Sequence, residues 1–227
     1  MSGARKRAAA DAALAELRSG QRLGLGTGST AAAFLEALAD ALASGRLEDL
    51  AGVPTSRATE VRARELGIPL IDLPADGVDV AVDGMDEVDG ALNAVKGLGG
   101  ALLREKVVAE AATRFVLIGD DGKTVGRLGE RAPLPVEVLA FGVARTEARL
   151  RALGLTPTLR GGATEPFLSD NGNPILDAVL PEDADLPALA AALDAIPGVM
   201  AHGLFLGMAD VAYLASDGDV VRREADA

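Results

Sequence analysis

The chain has no cysteine and no tryptophan, and only one histidine and one tyrosine among its 227 residues. Without thiols there are no disulfides, no thiolate metal site and no cysteine nucleophile. A single imidazole leaves little material for a hydrolase triad that uses histidine as base. That residue, His202, lies in an apolar stretch and reads as structural. Aromatics are only 3% of the chain, so Ala, Leu and Val must fill the core. Long uncharged apolar runs are also missing. Leu186 to Ala209 comes nearest to the roughly 18 residues a membrane span needs, and Pro187, Asp194, Pro197 and His202 interrupt it. The first helix-like segment carries Asp11 and Glu16, where a signal peptide would be uncharged. A cytoplasmic protein with no membrane partner is expected.

Positive charge is scarce. With 34 acidic and 22 basic residues the net charge is −12, which argues against nucleic acid as a partner. Any anionic ligand must then find a locally positive site on an acidic protein. Eighteen of the basic residues are Arg; only Lys6, Lys96, Lys106 and Lys123 are Lys. In a chain that so prefers Arg, these lysines are candidates for places needing a compact ammonium rather than a planar fork.

Local patterning predicts a helix over Ala4–Ser19, a strand over Arg22–Gly26 and a helix over Ala31–Ser44. A strand follows at Leu50–Val53, and Ser56 is placed to cap a helix that runs to Leu66 and stops at Gly67. Strands at Leu70–Leu73, Val78–Val82 and Arg114–Gly119, with a helix after Ala101, complete the alternation expected of a parallel, doubly wound sheet. A break comes at Gly126–Pro135. Beyond it, Val136–Phe141, a helix near Thr146–Leu153, a turn at Asp170–Asn173, Pro174–Val179 and a helix near Leu186–Ala195 form an α+β set. The tail from Gly203 to Val221 is strand-like and can rejoin the first sheet. The expected division is 1–130 plus 203–227 as one domain and 131–202 as a smaller one.

Two stretches carry chemistry. VDGMDEVDG (Val82–Gly90) puts Asp83, Asp86 and Glu87 where a strand ends, the ligand-binding edge of an open α/β sheet. KGLGGALLREK (Lys96–Lys106) is a glycine-rich turn opening into a helix, which offers free N–H groups and a positive dipole end to an anion. Carboxylates, a lysine and an anion-binding turn suit proton transfer on a phosphorylated substrate. Taken alone, Glu105 reads as a helix-face carboxylate paired with Arg104 or Lys106. Similar motifs fail their templates. GLGTGST places Ser29 where a dinucleotide fingerprint needs its third glycine, though Gly26 to Thr30 still supply amides and hydroxyls to a phosphate or sugar. Gly122-Lys123-Thr124 lacks the earlier glycine of a nucleotide-binding P-loop. Asp83, Asp86 and Asp89 do not have calcium-loop spacing.

Taken together, the chain resembles the type A ribose-5-phosphate isomerases over essentially its whole length. The resemblance rests on GLGTGSTAAAFLEAL (Gly24–Leu38), PTSRATEVRARELGIPL (Pro54–Leu70), VDGMDEVDG, KGLGGALLREK, PLPVEV (Pro133–Val138), SDNGNPILD (Ser169–Asp177) and IPGVMAHGLF (Ile196–Phe205). It implies an α/β fold with a Rossmann-like doubly wound sheet and a smaller inserted α+β domain. It also implies interconversion of ribose 5-phosphate and ribulose 5-phosphate in the non-oxidative pentose phosphate pathway, without metal or organic cofactor. The family's catalytic residues fall on Glu105 as base, with Asp83, Asp86 and Lys96. Its substrate contacts fall on Lys6, Thr27, Gly28, Ser29, Thr30, Gly84, Met85, Gly97, Leu98, Gly99 and Lys123. Departures are few: the loop reads KGLGGA where the family commonly has KGGGAA, and Met85 stands where alanine is common. A homodimer or a tetramer is the implied assembly. Two other readings are open to the residues. In one, an acyl or coenzyme A transferase uses Glu105 as nucleophile and forms a covalent adduct. In the other, a sugar-phosphate sensor binds without turnover and carries a DNA-binding helix-turn-helix, for which this chain has no room.

Overall fold

The computed structural model describes residues 2–225. In chain order it runs α1 (Gly3–Ala13), β1 (Arg22–Leu25), α2 (Ser29–Ala43), β2 (Ala51–Pro54), α3 (Arg57–Glu65), β3 (Val78–Gly84), β4 (Glu87–Val88), β5 (Ala94–Val95), α4 (Leu102–Glu110) and β6 (Ala112–Asp120). There follow β7 (Leu134–Val138), α5 (Val143–Ala152), β8 (Thr156–Leu159), β9 (Ile175–Val179), α6 (Leu186–Asp194), β10 (Val199–His202), β11 (Leu204–Phe205), β12 (Val211–Ala215) and β13 (Val220–Glu224). The six-stranded sheet has the order β13-β12-β6-β3-β1-β2. Its pairings are parallel except for the edge strand β13, which runs antiparallel to β12.

Both faces of this sheet are apolar, as a parallel sheet covered by helices requires. Along β6, Val116 and Ile118 point to α1 and α2, packing with Ala9, Ala13, Phe34 and Leu38. Phe115 and Leu117 point the other way and pack with Val108 and Ala109 of α4. The tail rejoins the sheet as expected, β12 pairing with β6. A four-stranded antiparallel sheet, β10-β7-β9-β8, packs Val136, Leu176 and Ala178 with Leu150 of α5 and Leu193 of α6. A three-stranded ribbon, β11-β5-β4, contributes to both cores, Val88, Ala94 and Phe205 to that of the parallel sheet and Val95 and Leu204 to that of the antiparallel one.

Helix α4 lies between the two larger sheets. Val108 and Ala109 pack with the parallel sheet, whereas Leu102 packs with Ile175 and Ala201 of the antiparallel one. Its buried residues are Leu102, Glu105, Val108 and Ala109. The spacing is that of an apolar helical stripe with a carboxylate in the middle.

Two expected elements differ. Leu70–Leu73 makes a single bridge, Leu70 with Gly52, rather than a strand. Pro69 and Pro74 bracket it, and neither has an N–H with which to extend a ladder. The first helix stops at Ala13, followed by one 3₁₀ turn at Leu14–Glu16. There the Glu16 carboxylate is held by Arg114 at 2.7 Å and the Tyr213 hydroxyl at 2.7 Å, which draws the chain to the sheet edge. The strand near the proline-rich break starts earlier than expected, at Leu134, and runs through Pro135.

Because Leu102 is fully buried between α4 and the smaller sheet, Leu102→Ala should lower the unfolding free energy by about 2–5 kcal/mol. Urea denaturation of the variant, with an unchanged slope, checks it.

Candidate active site

The carboxyl ends of β1, β3 and β6 and the turn after β5 surround a cavity of about 250 Å³. This is where an open parallel sheet accepts ligands. After β1 the backbone passes through Gly28 at φ 104°, a left-handed conformation suited to glycine, and enters α2 at Ser29. Gly26 is required for a different reason: a Cβ there would lie 2.2 Å from Asp83 Oδ1. Asp83 Oδ1 accepts from Thr27 N at 3.0 Å and Gly84 N at 2.7 Å, so one carboxylate ties the β1 and β3 loops together.

Beneath the cavity lies the cluster that defines its chemistry. Lys96 Nζ is 3.1 Å from Asp83 Oδ2 and 3.4 Å from Glu105 Oε1, and also donates to the Gly84 carbonyl. The three side chains are almost fully removed from solvent. Fully ionised, the trio carries net charge −1 in a low-dielectric setting, and this cannot be held at no cost. Burial, reinforced by the Asp83 charge, pushes the Glu105 carboxyl up to about 8 despite Lys96. Burial also raises Asp83, against the pull of Lys96. For Lys96 burial acts downward, but the two carboxylates prevail and hold the ammonium above its ordinary value. Glu105 Oε2 has no hydrogen-bond partner. Burial of Glu105 thus goes well beyond the helix-face pairing that its neighbours alone indicate. Arg104 instead binds Asn171 Oδ1 at 2.8 Å, and Lys106 donates to Leu204 O at 2.9 Å.

The cavity wall gathers Lys6, Thr27, Gly28, Ser29, Thr30, Gly84, Met85, Asp86, Lys96, Gly97, Gly99, Glu105 and Lys123. Three of the four lysines therefore converge on one cavity of an acidic protein. Asp83 sits under the floor. Leu98 departs from the expected contact set: its side chain is 43% exposed, and its N–H donates to Asp86 Oδ2 at 2.9 Å. The acidic loop splits by role. Glu87 accepts from Gly129, Arg131 and Ala132 amides, fixing the segment that leads to β7, and Asp89 caps the turn to Asn93.

Asp120, which sequence reasoning passed over, lines the cavity at the end of β6. Its position at the carboxyl end of a parallel strand was the available signal. Arg160, which also went unremarked, holds the glycine-rich turn from outside, with Nη1 at 3.2 Å from Gly97 O and 3.0 Å from Leu98 O. The expected structural role of His202 is consistent with its surroundings. Nδ1 accepts from Leu204 N and lies 3.2 Å from Lys106 Nζ, and burial and that ammonium push the imidazole down to about 4. Among the described residues no group of three or more His, Cys, Asp or Glu side chains is placed to hold a metal ion. No helix among them is long and apolar enough to cross a membrane.

A parallel sheet with lysines around a cavity at its carboxyl edge, and a buried carboxylate near neutral pKa beside an ammonium, defines a class. It is an α/β enzyme that moves protons on a small anionic substrate. The family model of ribose 5-phosphate isomerase A (phosphoriboisomerase A) matches residues 51–219. The ribose-5-phosphate isomerase A of Roseiflexus castenholzii is 54% identical over 223 residues, covering 96% of this chain and 94% of that protein. That of Deinococcus radiodurans is 47% identical over 211 residues, covering 93% of each. The solved ribose 5-phosphate isomerase from Plasmodium falciparum superposes with a TM-score of 0.94 at 38% identity, covering 99% of both chains. A D-ribose-5-phosphate isomerase solved in complex with phospho-erythronic acid gives 0.93 at 37%, covering 97% of this chain and 98% of that one. This chain belongs to the ribose 5-phosphate isomerase A family.

Two pH dependences follow from the cluster. A carboxylate accepts a proton only when ionised, so with Glu105 as the base the acid limb of kcat/KM should titrate near pH 8. Asp83→Asn removes a charge that raises Glu105 and should move that limb to lower pH; a limb that stays put would exclude the coupling. The effect on stability has the opposite sense. A carboxyl raised on folding adds stability that is complete below its unfolded pKa and is lost as pH rises through its folded one. Glu105→Gln should therefore flatten the decline in stability between about pH 5 and pH 8, read by urea unfolding across that range.

Proposed function

We propose that Glu105, Lys96, Asp83 and Asp86 carry out the aldose–ketose isomerisation of D-ribose 5-phosphate to D-ribulose 5-phosphate, the reaction of the non-oxidative pentose phosphate branch for which the family is named. The observation that carries the assignment is Glu105: buried, with Oε2 unpartnered, on the cavity wall and 3.4 Å from an ammonium. Its pKa near the operating pH is what general-base catalysis favours.

Glu105 takes the proton from C2 of the open-chain aldose. The C2–H electron pair becomes the C1–C2 double bond of an enediolate, and the C1 carbonyl oxygen takes the negative charge. Lys96 and the free N–H groups of the Gly97–Gly100 turn stabilise that oxygen. One proton passes between the two oxygens while Glu105 returns its own to C1, leaving a C2 ketone. Asp83 and Asp86, with Lys96, open the furanose ring and relay the hydroxyl proton. Lys6, Lys123, Ser29 and Thr30 bind the phosphate at the N-terminus of α2, where the helix dipole favours an anion. Thr27, Gly28, Gly84, Met85, Gly97 and Gly99 shape the sugar site. Holding the phosphate fixes the reacting carbons in register. No cofactor takes part, and turnover should withstand prolonged EDTA treatment.

Residues 1–130 plus 203–227 (of which 1, 226 and 227 lie outside the described residues) form the catalytic domain in this reading, and 131–202 the smaller one. We also assign the protein to the cytoplasm and to a homodimer or a tetramer.

Glu105→Gln should lower kcat by about 10²–10⁴-fold, the usual worth of a positioned base, and leave substrate affinity little changed. Exchange of the C2 proton with deuterated water should collapse in parallel. A folded variant that binds ribose 5-phosphate and turns over near the wild-type rate would falsify the assignment. Lys123→Ala should chiefly raise KM, with kcat falling as phosphate anchoring weakens; an unchanged KM removes Lys123 from the phosphate site.

A further inference from the structure

The Gly97–Gly100 turn has few interactions of its own to hold it. Gly97 is at φ 106° and Gly100 at φ 82°, both left-handed. Gly99 has no heavy atom within 4 Å of where a Cβ would stand, and Leu98 is 43% exposed. Within the turn, the only internal tie is Gly100 N donating to Gly97 O at 2.9 Å. A peptide unit flanked by glycine in open space turns over at little steric cost.

One side chain from the smaller sheet's edge opposes that motion. Arg160 follows β8, and Asp177 of β9 grips its Nε and Nη2 as a fork, with Nε to Oδ2 at 2.8 Å. The Phe167 ring lies 5.4 Å from the guanidinium carbon. This leaves Nη1 to donate to both Gly97 O and Leu98 O. No peptide bond among the described residues is cis, and in a trans unit the C=O and the following N–H point in opposite directions. With the Gly97 carbonyl on Arg160, the Leu98 N–H must point away, and it meets Asp86 Oδ2. With the Leu98 carbonyl on Arg160, the Gly99 N–H must likewise point away from it. Gly99 lines the cavity, and its N–H has no acceptor among the described residues.

We propose that Arg160 is a positioning residue for the isomerisation: by holding the Gly97 and Leu98 carbonyls outward it presents the Gly99 N–H to the oxygen that becomes negative in the enediolate. Arg160 touches neither substrate nor reacting atoms; it acts through the orientation of one peptide unit. Asp177 in turn orients Arg160. A planar fork is required, because one group must satisfy a carboxylate on one edge and two carbonyls on another.

The proposal rests on the isomerase reading above, and wild-type turnover of ribose 5-phosphate is the control that separates the two. Arg160→Met should lower kcat by about 10²–10³-fold, the usual effect of losing one oxyanion donor. Inhibition by inorganic phosphate should stay within about twofold of wild type, because the phosphate end is untouched. Inhibition by phospho-erythronic acid, whose carboxylate offers the paired oxygens of an enediolate, should weaken in step with kcat/KM. Arg160→Lys keeps the charge beside Asp177 and guards against a folding failure; it should still lose at least about tenfold in kcat. A folded Arg160→Lys or Arg160→Met with kcat within about threefold of wild type overturns the proposal, as does a loss of phosphate inhibition as large as the loss of kcat. An inactive wild type would overturn the isomerase reading itself.

Discussion

Everything at the catalytic edge depends on three charges having been taken out of water together. A buried ammonium between two carboxylates is not a device for stability. Replacing such a group with packed apolar side chains is often neutral or stabilising, whereas removing one member leaves an uncompensated charge and costs about 3–5 kcal/mol. The arrangement has functional value because it leaves one carboxylate poorly satisfied. Lys96 is shared, Asp83 has two backbone amides besides, and Glu105 has Lys96 alone. The proton therefore rests most easily on Glu105, and the group with the weakest hold on its charge is the one facing the cavity.

The fold creates that imbalance through α4. A helix lying on one sheet would have kept Glu105 at a solvated rim, where it would titrate as an ordinary carboxylate. Packing Leu102 with Ile175 and Ala201 on one side, and Val108 and Ala109 with the main sheet on the other, removes that rim. The smaller sheet also reaches the site through Arg104, held by Asn171, and through the carbonyls of the glycine-rich turn. Glu137, fully buried, accepts from Ser169, Asn171 and Asn173 and so stiffens the loop making the first of these contacts. What looked like a hairpin turn is thus also a strut against α4.

Much of this was legible in the sequence, because it was carried by local pattern. Strand-to-glycine transitions placed Thr27–Thr30 and Gly84–Asp86 at strand ends, and the scarcity of lysine singled out Lys6, Lys96, Lys106 and Lys123 alike, of which all but Lys106 line the cavity. The depth of Glu105 was not legible. Its position in the stripe Leu102, Glu105, Val108, Ala109 was readable, but the second sheet that seals it comes from residues much further along the chain. Arg160 was invisible for the same reason: it recognises backbone carbonyls, which leave no mark in side-chain identity. Leu70–Leu73 misled in the opposite direction, since its composition is that of a strand and only the flanking prolines deny it a ladder.

The return of the tail to the main sheet has a consequence for how the protein comes off the ribosome. Asp83, Lys96 and Glu105 are translated well before residue 201, but the acceptor of the Lys96 backbone N–H is Gly203 O, and the ring beneath its ammonium is Phe205. Strand β12, which completes the sheet beside β6, emerges later still. Contacts of such wide sequence separation form late and slowly. A nascent chain that stops short of residue 201 carries Asp83, Lys96 and Glu105 but lacks the segment that packs on α4 and on the Lys96 ammonium. Its carboxylates stay solvated at ordinary acidity, and the raised basicity of Glu105 arises only once residues 201–205 are in place.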